Sequence, residues 1–250
     1  MHWNSHIVPM HSALLVWLWT PSRLAINRAI WTSGLALQCA LVFAVFRGGI
    51  APRFPCFAAL ICFYPVRATL LLVLANRVDA DVYNPLSSAL TFGELLLQAA
   101  VVLELIWRVS QETAGHETGG ARELSIRCAG LYLLIVLGAA EICTWLVFTF
   151  SALHGSVDRV QLFAWFAMIT LFAVVLRKAR SANPVRIAAG FATFSLIQLA
   201  AAFGRIHAFA KHDASWYLAW SYIPAVGYLA VVIFWLIALR KDVNARTSRP

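Results

Sequence analysis

Seven stretches of this chain are apolar for about twenty residues at a time, and that recurrence limits the fold more than any other feature. A helix rises 1.5 Å per residue, so twenty apolar residues match the roughly 30 Å hydrocarbon core of a bilayer. The runs fall at about 28 to 47, 54 to 76, 84 to 107, 128 to 150, 160 to 177, 187 to 208 and 216 to 239. Composition agrees: 61% of the 250 residues are hydrophobic and only 12% are charged, about half the charged content of a soluble domain. The chain therefore reads as an all-α, polytopic seven-helix bundle over residues 28–239, with no length left for a soluble domain. A basic tail follows at 240–250.

Residues 1–27 are harder to place. The piece "IVPMHSALLVWLWTP" contains Pro9 and His11, is short for a span, and lacks the basic n-region of a signal peptide. An interfacial or re-entrant helix is the first expectation, with a cleaved signal or an eighth span as alternatives. Polar breaks separate the other runs, among them "RGGIAPR", "NRVDADVYNP" and "RKARSANPVR". The longest, Ser110 to Ser125, reads as a polar loop.

The net charge of +9 does not mark a nucleic-acid partner, because no basic stripe or extended polar surface exists to dock one. It sets orientation instead. Arg47, Arg53, Arg108, Arg122, Arg127, Arg177, Lys178, Arg180, Arg186, Arg240, Lys241, Arg246 and Arg249 fall on one side. Only Arg23, Arg28, Arg77, Arg159, Arg205 and Lys211 fall on the other. The C-terminus is expected in the cytoplasm and, with seven spans, the N-terminus outside; three lysines among 20 basic residues fit a GC-rich bacterial source and so a bacterial inner membrane. Trp31, Trp107, Trp216 and Trp235 lie near span ends and suit interfacial belts.

A charge at the bilayer centre costs at least about 2.5 kcal/mol, so a buried ionisable residue needs a partner or a wet cavity. Arg67, inside "CFYPVRATLLLVLAN", lies roughly 20 Å from the cytoplasmic end of its span, and Glu94 roughly 15 Å from the outer end of the next. Both reach mid-membrane, with Glu141 at similar depth. Gln38, Gln98 and Gln198 share the slab. These six residues are the expected polar cluster, with Arg67 gripped by Glu94 and also by Glu141 if that helix faces it. The cluster is read either as a packing clamp or as a site with Glu94 and Glu141 as candidate acid and base. Glu104 is expected to pair along its own helix with Arg108 at i+4.

Other chemistries find little support. Cys39, Cys56, Cys62, Cys128 and Cys143 show no CxxC spacing, so neither disulfides nor zinc is expected. His2, His6, His11, His154, His207 and His212 map to the outer side and His116 to the inner, without any ligand motif, so no metal is expected. No mid-span lysine is present for a retinal Schiff base, and P-loop, GxSxG and HExxH motifs are missing. No cofactor is expected.

The stretches "FRGGIAPRFPCFAALICFYPVRATLLLVL" and "YNPLSSALTFGELLLQAAVVLELIWRV" resemble a family of small seven-span membrane proteins of acidobacterial type. The resemblance rests on Arg47 and Gly48 in the break, Phe54, Pro55 and Phe57 at the start of span two, and Glu104 late in span three. It implies topology and no mechanism, since the family has no assigned activity. An acidic residue expected in span two of that family is replaced here by the Tyr64–Pro65 region. The function expected from the sequence is a non-enzymatic sensor or accessory module holding a lipid-like or small apolar ligand. An intramembrane enzyme on a lipid or isoprenoid is the alternative, and a proton-coupled carrier the second.

The charge count generates a direct prediction. Single cysteines placed at residue 245 or in the 110–125 region should resist a membrane-impermeant maleimide until cells are opened. Labelling of either in intact cells reverses the orientation.

Overall fold

The computed structural model describes residues 21–74, 77–114, 121–150, 159–211 and 213–247. Seven helices make up these segments: α1 (Pro21–Arg47), α2 (Pro55–Leu74), α3 (Ala80–Ala114), α4 (Ala121–Phe150), α5 (Arg159–Lys178), α6 (Ala182–Ala210) and α7 (Ala214–Thr247). Each is long and apolar enough to cross a membrane, so the chain is a multi-pass integral membrane protein. Residues 1–20 lie outside the described segments, and with them the question of an N-terminal interfacial helix. Of the histidines singled out above, only His207 lies in the described residues.

Several helices outrun the expected spans, because hydropathy reads only the lipid-facing part of a helix. The expected 110–125 loop is largely helical: α3 continues to Ala114 and α4 begins at Ala121. Helix α7 continues to Thr247, through most of the expected tail.

Sequence neighbours pack together in turn, and α7 returns to α1. Helix α3 also touches α5 and α6. Since α3 and α5 meet each other, α4 is squeezed out of the ring and packs on its periphery. Leu131, Leu134, Ile142 and Trp145 of α4 are accordingly exposed, as suits a lipid-facing helix.

The closest packing joins α6 and α7. A Cβ on Gly190 would fall 2.3 Å from the Trp235 indole, one on Gly204 2.0 Å from Trp220, and one on Gly227 2.6 Å from Ile197. In lipid, where no hydrophobic force draws helices together, such small-residue contact is a principal source of association. Trp235 is thus not a belt residue: it is 2% exposed, lies edge-on to Phe57 at 5.4 Å and Phe191 at 5.0 Å, and donates Nε1–H to the Arg186 carbonyl at 3.3 Å. Trp31, Trp107 and Trp216 remain exposed.

The α1–α2 break shows how the polar backbone is satisfied. Gly49 takes φ 65°, and the amides of Ile50 and Gly49 bond back to the carbonyls of Val45 at 3.1 Å and Phe46 at 3.2 Å, which is a Schellman ending. The chain then enters α2 at Pro55, whose missing N–H suits a first helical position. The next two amides, Cys56 and Phe57, donate to Glu104 of α3 at 3.2 and 3.1 Å. Arg108 donates to the Arg53 carbonyl at 2.6 Å and lies over the Phe54 ring. Glu104 and Arg108 are therefore not the lone intrahelical pair the i+4 spacing suggested: Glu104 caps the free amides of α2, and Arg108 reaches the break just before it. Glu112 repeats the device, accepting from the amides of Arg180 at 2.8 Å and Ser181 at 3.2 Å and from the Ser181 hydroxyl at the start of α6.

Losing the Glu104 cap strands two donors at a helix end packed against its neighbour, each costing about 1 to 3 kcal/mol. Glu104→Ala should lower the detergent melting temperature clearly more than Glu104→Gln, which keeps one acceptor oxygen. Equal losses would mean the carboxylate is not acting as a cap.

Candidate functional site

A cavity of about 660 Å³ lies within the bundle. It is lined from six helices: Gln38 of α1, Tyr64 and Arg67 of α2, Thr91, Glu94 and Gln98 of α3, Gln161 and Trp165 of α5, Ser195, Gln198 and Arg205 of α6, and Tyr228 of α7, with apolar residues between. No α4 residue contributes. Trp31, Tyr83, Gln161 and Arg205 place the mouth at the end of the bundle that carries the starts of α1, α3, α5 and α7.

The mid-membrane arginine is held by its neighbour. Arg67 Nη1 donates to Glu94 Oε2, Nη2 donates to the Thr91 hydroxyl at 3.0 Å, and Gln98 donates to Glu94 Oε1 at 3.1 Å. The Thr91 hydroxyl in turn donates to the Ser87 carbonyl at 2.9 Å. The two charged side chains are 26% and 16% exposed, so the pair forms part of the cavity wall and is not sealed in the core. Buried Arg67 Nε has no partner among the described residues.

A second polar group stands one turn deeper. Gln38 Nε2 donates to the Tyr228 hydroxyl at 3.0 Å. The Tyr228 ring meets Tyr64 edge-on at 5.6 Å and Phe194 at 5.7 Å. Gln38 Oε1 remains buried without a partner among the described residues. Pro65 and Pro224 interrupt α2 and α7 beside these tyrosines, each freeing a carbonyl four residues earlier. Within a bilayer such backbone is tolerated where protein or a wet cavity can satisfy it.

Beneath this level the bundle is apolar and close-packed. Leu41 and Val45 of α1, Leu60 of α2, Val101 and Leu105 of α3 and Leu171 of α5 are 0–1% exposed, and Phe57, Phe191 and Trp235 close the floor with mutual edge-on contacts. The cavity thus opens at one end and stops against apolar packing at the other.

The structure brings Arg67, Glu94 and Gln98 into direct contact and sets Gln38 and Gln198 in the same cavity wall. Glu141 stands apart. It pairs with Arg159, both about half exposed (52% and 54%), on the outside of peripheral α4. Depth along a span does not reveal which way a helix faces, and α4 lies outside the ring. Among the described residues Glu94 therefore has no second carboxylate beside it in the cavity. The sequence reading missed Tyr64, Thr91 and Tyr228 as wall residues; the prolines next to mid-span tyrosines were the available signal. All five cysteines are free. Among the described residues, no three His, Cys, Asp or Glu side chains gather to hold a metal.

Stripping one partner from a buried ion pair costs about 3 to 5 kcal/mol, whereas replacing both by apolar groups can be near neutral. Partial exposure of this pair puts the loss toward the lower figure. Arg67→Leu alone should therefore destabilise the bundle in detergent more than the double change Arg67→Leu with Glu94→Leu. Additive losses in that cycle would show that the two charges are not coupled.

A scan against protein-family models and searches of curated proteins and of solved structures find no match to this chain.

Proposed function

We propose that this protein is a non-enzymatic, ligand-holding module of a bacterial inner membrane, a sensor or accessory component whose cavity faces the outside. The observation that carries the reading is the one-ended cavity. A volume of about 660 Å³ falls in the range of small-molecule pockets, about 300 to 1,000 Å³. Its lining mixes apolar walls with a few convergent polar groups, the usual make-up of a binding site.

The competing readings ask for features of other kinds. Acid–base chemistry on an isoprenoid by two glutamates needs both in the cavity, and Glu141 lies outside it beside Arg159. A carrier needs access to both sides, which would require parting the Phe57–Phe191–Trp235 floor. Membership in the acidobacterial-type family belongs to the same proposal. Its support is that Phe57 and Glu104, two of the six residues carrying the resemblance, meet at the capped start of α2.

Protein purified from membranes in mild detergent should retain a small molecule near one per chain, detectable by native mass spectrometry. Ala164→Trp, which fills the cavity wall from α5, should lose it while melting like the wild type. A ligand that survives this filling, or no molecule retained near one per chain, would sink the reading. A ligand chemically changed on incubation would replace it with the enzyme.

A further inference from the structure

The charges in the cavity wall do not balance. Among the described residues three charged side chains line it, Arg67, Glu94 and Arg205, and Arg67 is already paired with Glu94. Arg205 has no carboxylate partner among the described residues, and it is only partly buried. The cavity thus carries one uncompensated positive charge, positioned in its mouth.

Relative depth follows from the helices. Phe194 meets Tyr228, and Tyr228 meets Tyr64, so these three share a level. Arg67 stands three residues outward of Tyr64 and Arg205 eleven residues outward of Phe194, which separates the two arginines by about 12 Å along the bundle. Between them the wall is mainly apolar, with Ile30, Ala68, Leu71 and Pro224, and Gln198 as its polar side chain.

We propose that the cavity takes an elongated amphipathic monoanion, its acid group at Arg205 in the mouth and an uncharged hydrogen-bonding group at Arg67, Glu94 and Gln98 near the floor. This rests on the reading of the cavity as a binding site. An acid group at the deep end would face the Glu94 carboxylate, while both terminal nitrogens of Arg67 are engaged by Glu94 and Thr91. A cationic ligand would find no free carboxylate, because Glu94 is taken by Arg67 and Gln98. The deep cluster is instead a neutral set of donors and acceptors, suited to a hydroxyl, carbonyl or amide. The mouth is also where a charge loses least hydration, so the acid belongs there on two independent grounds.

The test uses the full chain in phosphatidylcholine nanodiscs with dansyl-tagged undecanoate, whose sulfonamide supplies the deep polar group, and its uncharged carboxamide. The acid should bind about tenfold more tightly than the amide, as expected for a hydrogen bond to a charged group. Arg205→Gln should remove that preference by weakening the acid far more than the amide, and Arg205→Lys should keep it. Gln98→Leu should weaken both probes alike. Displacement of the probe by phosphatidylglycerol in the disc assigns the acid to a membrane lipid; displacement by free laurate alone assigns it to a soluble acid. Equal binding of the two probes, or a preference that survives Arg205→Gln, overturns the charge assignment while the cavity stands. Binding of neither probe, or binding that survives Ala164→Trp, overturns the cavity reading itself.

Discussion

The carboxylates of α3 hold this bundle in register. The three glutamates of that helix accept from donors on another helix or at its start: Glu94 takes the Arg67 guanidinium of α2, Glu104 the first free amides of α2, and Glu112 the amides and hydroxyl at the start of α6. In lipid, where apolar side chains gain little by meeting one another, an unsatisfied polar group is what a misplaced helix cannot tolerate. Three fixed contacts along one helix therefore set the height of α2 and α6. The apolar surfaces, which would fit at several heights, then follow.

What was legible in the sequence divides along the same physical line. The length and hydropathy of a span depend on the bilayer, which is the same for every helix, so all seven spans could be read directly. Depth comes from counting residues, and it places Arg67 and Glu94 at one level, where the structure pairs them. The angle at which a helix faces its neighbours depends on packing order, and no single sequence displays that. Glu141 therefore matched in depth and yet sits outside the ring beside Arg159. Trp235 illustrates the same limit, since its position near a span end fits a lipid belt while its actual neighbour is Gly190, 45 residues earlier. Glu104 failed for another reason: a partner four residues away is visible in sequence, whereas backbone amides 47 and 48 residues away are not.

The cavity exists because two kinds of packing meet in the bundle. In the half that holds Phe57, Phe191 and Trp235, large aromatic rings fill the centre and glycine lets Trp235 approach α6. In the other half small and polar residues, Gly34, Gln38, Ala68, Thr91, Ala164, Ser195 and Ala225, stand among the larger apolar ones. Polar groups that compete for hydrogen bonds cannot be crushed together as aliphatic ones can, so space remains. Placing a neutral ion pair at this depth, and leaving the lone arginine to the mouth, keeps the charge-burial cost small in both places.

The same arrangement limits how a bound molecule could be felt elsewhere in the protein. Tryptophan and isoleucine seated on Gly190, Gly204 and Gly227 tie α6 to α7 along most of their length, so relative movement of those two helices would break close contacts at three points. Helix α3 is packed through Val101, Leu105 and Val109 and is also held by hydrogen bonds at separate heights. It carries Glu94 in the cavity wall, and 18 residues further on it carries Glu112 under the start of α6. Eighteen residues are five full turns, so both carboxylates leave the helix in nearly the same direction. A ligand that draws on the Arg67–Glu94–Gln98 group would thus act on a rigid rod about 27 Å long, measured at 1.5 Å per residue, whose other end holds the α6 cap. A two-state response of the bundle is most directly built on this helix, because it joins a hydrogen-bonded group in the cavity wall to the hydrogen-bonded α6 cap at the opposite face.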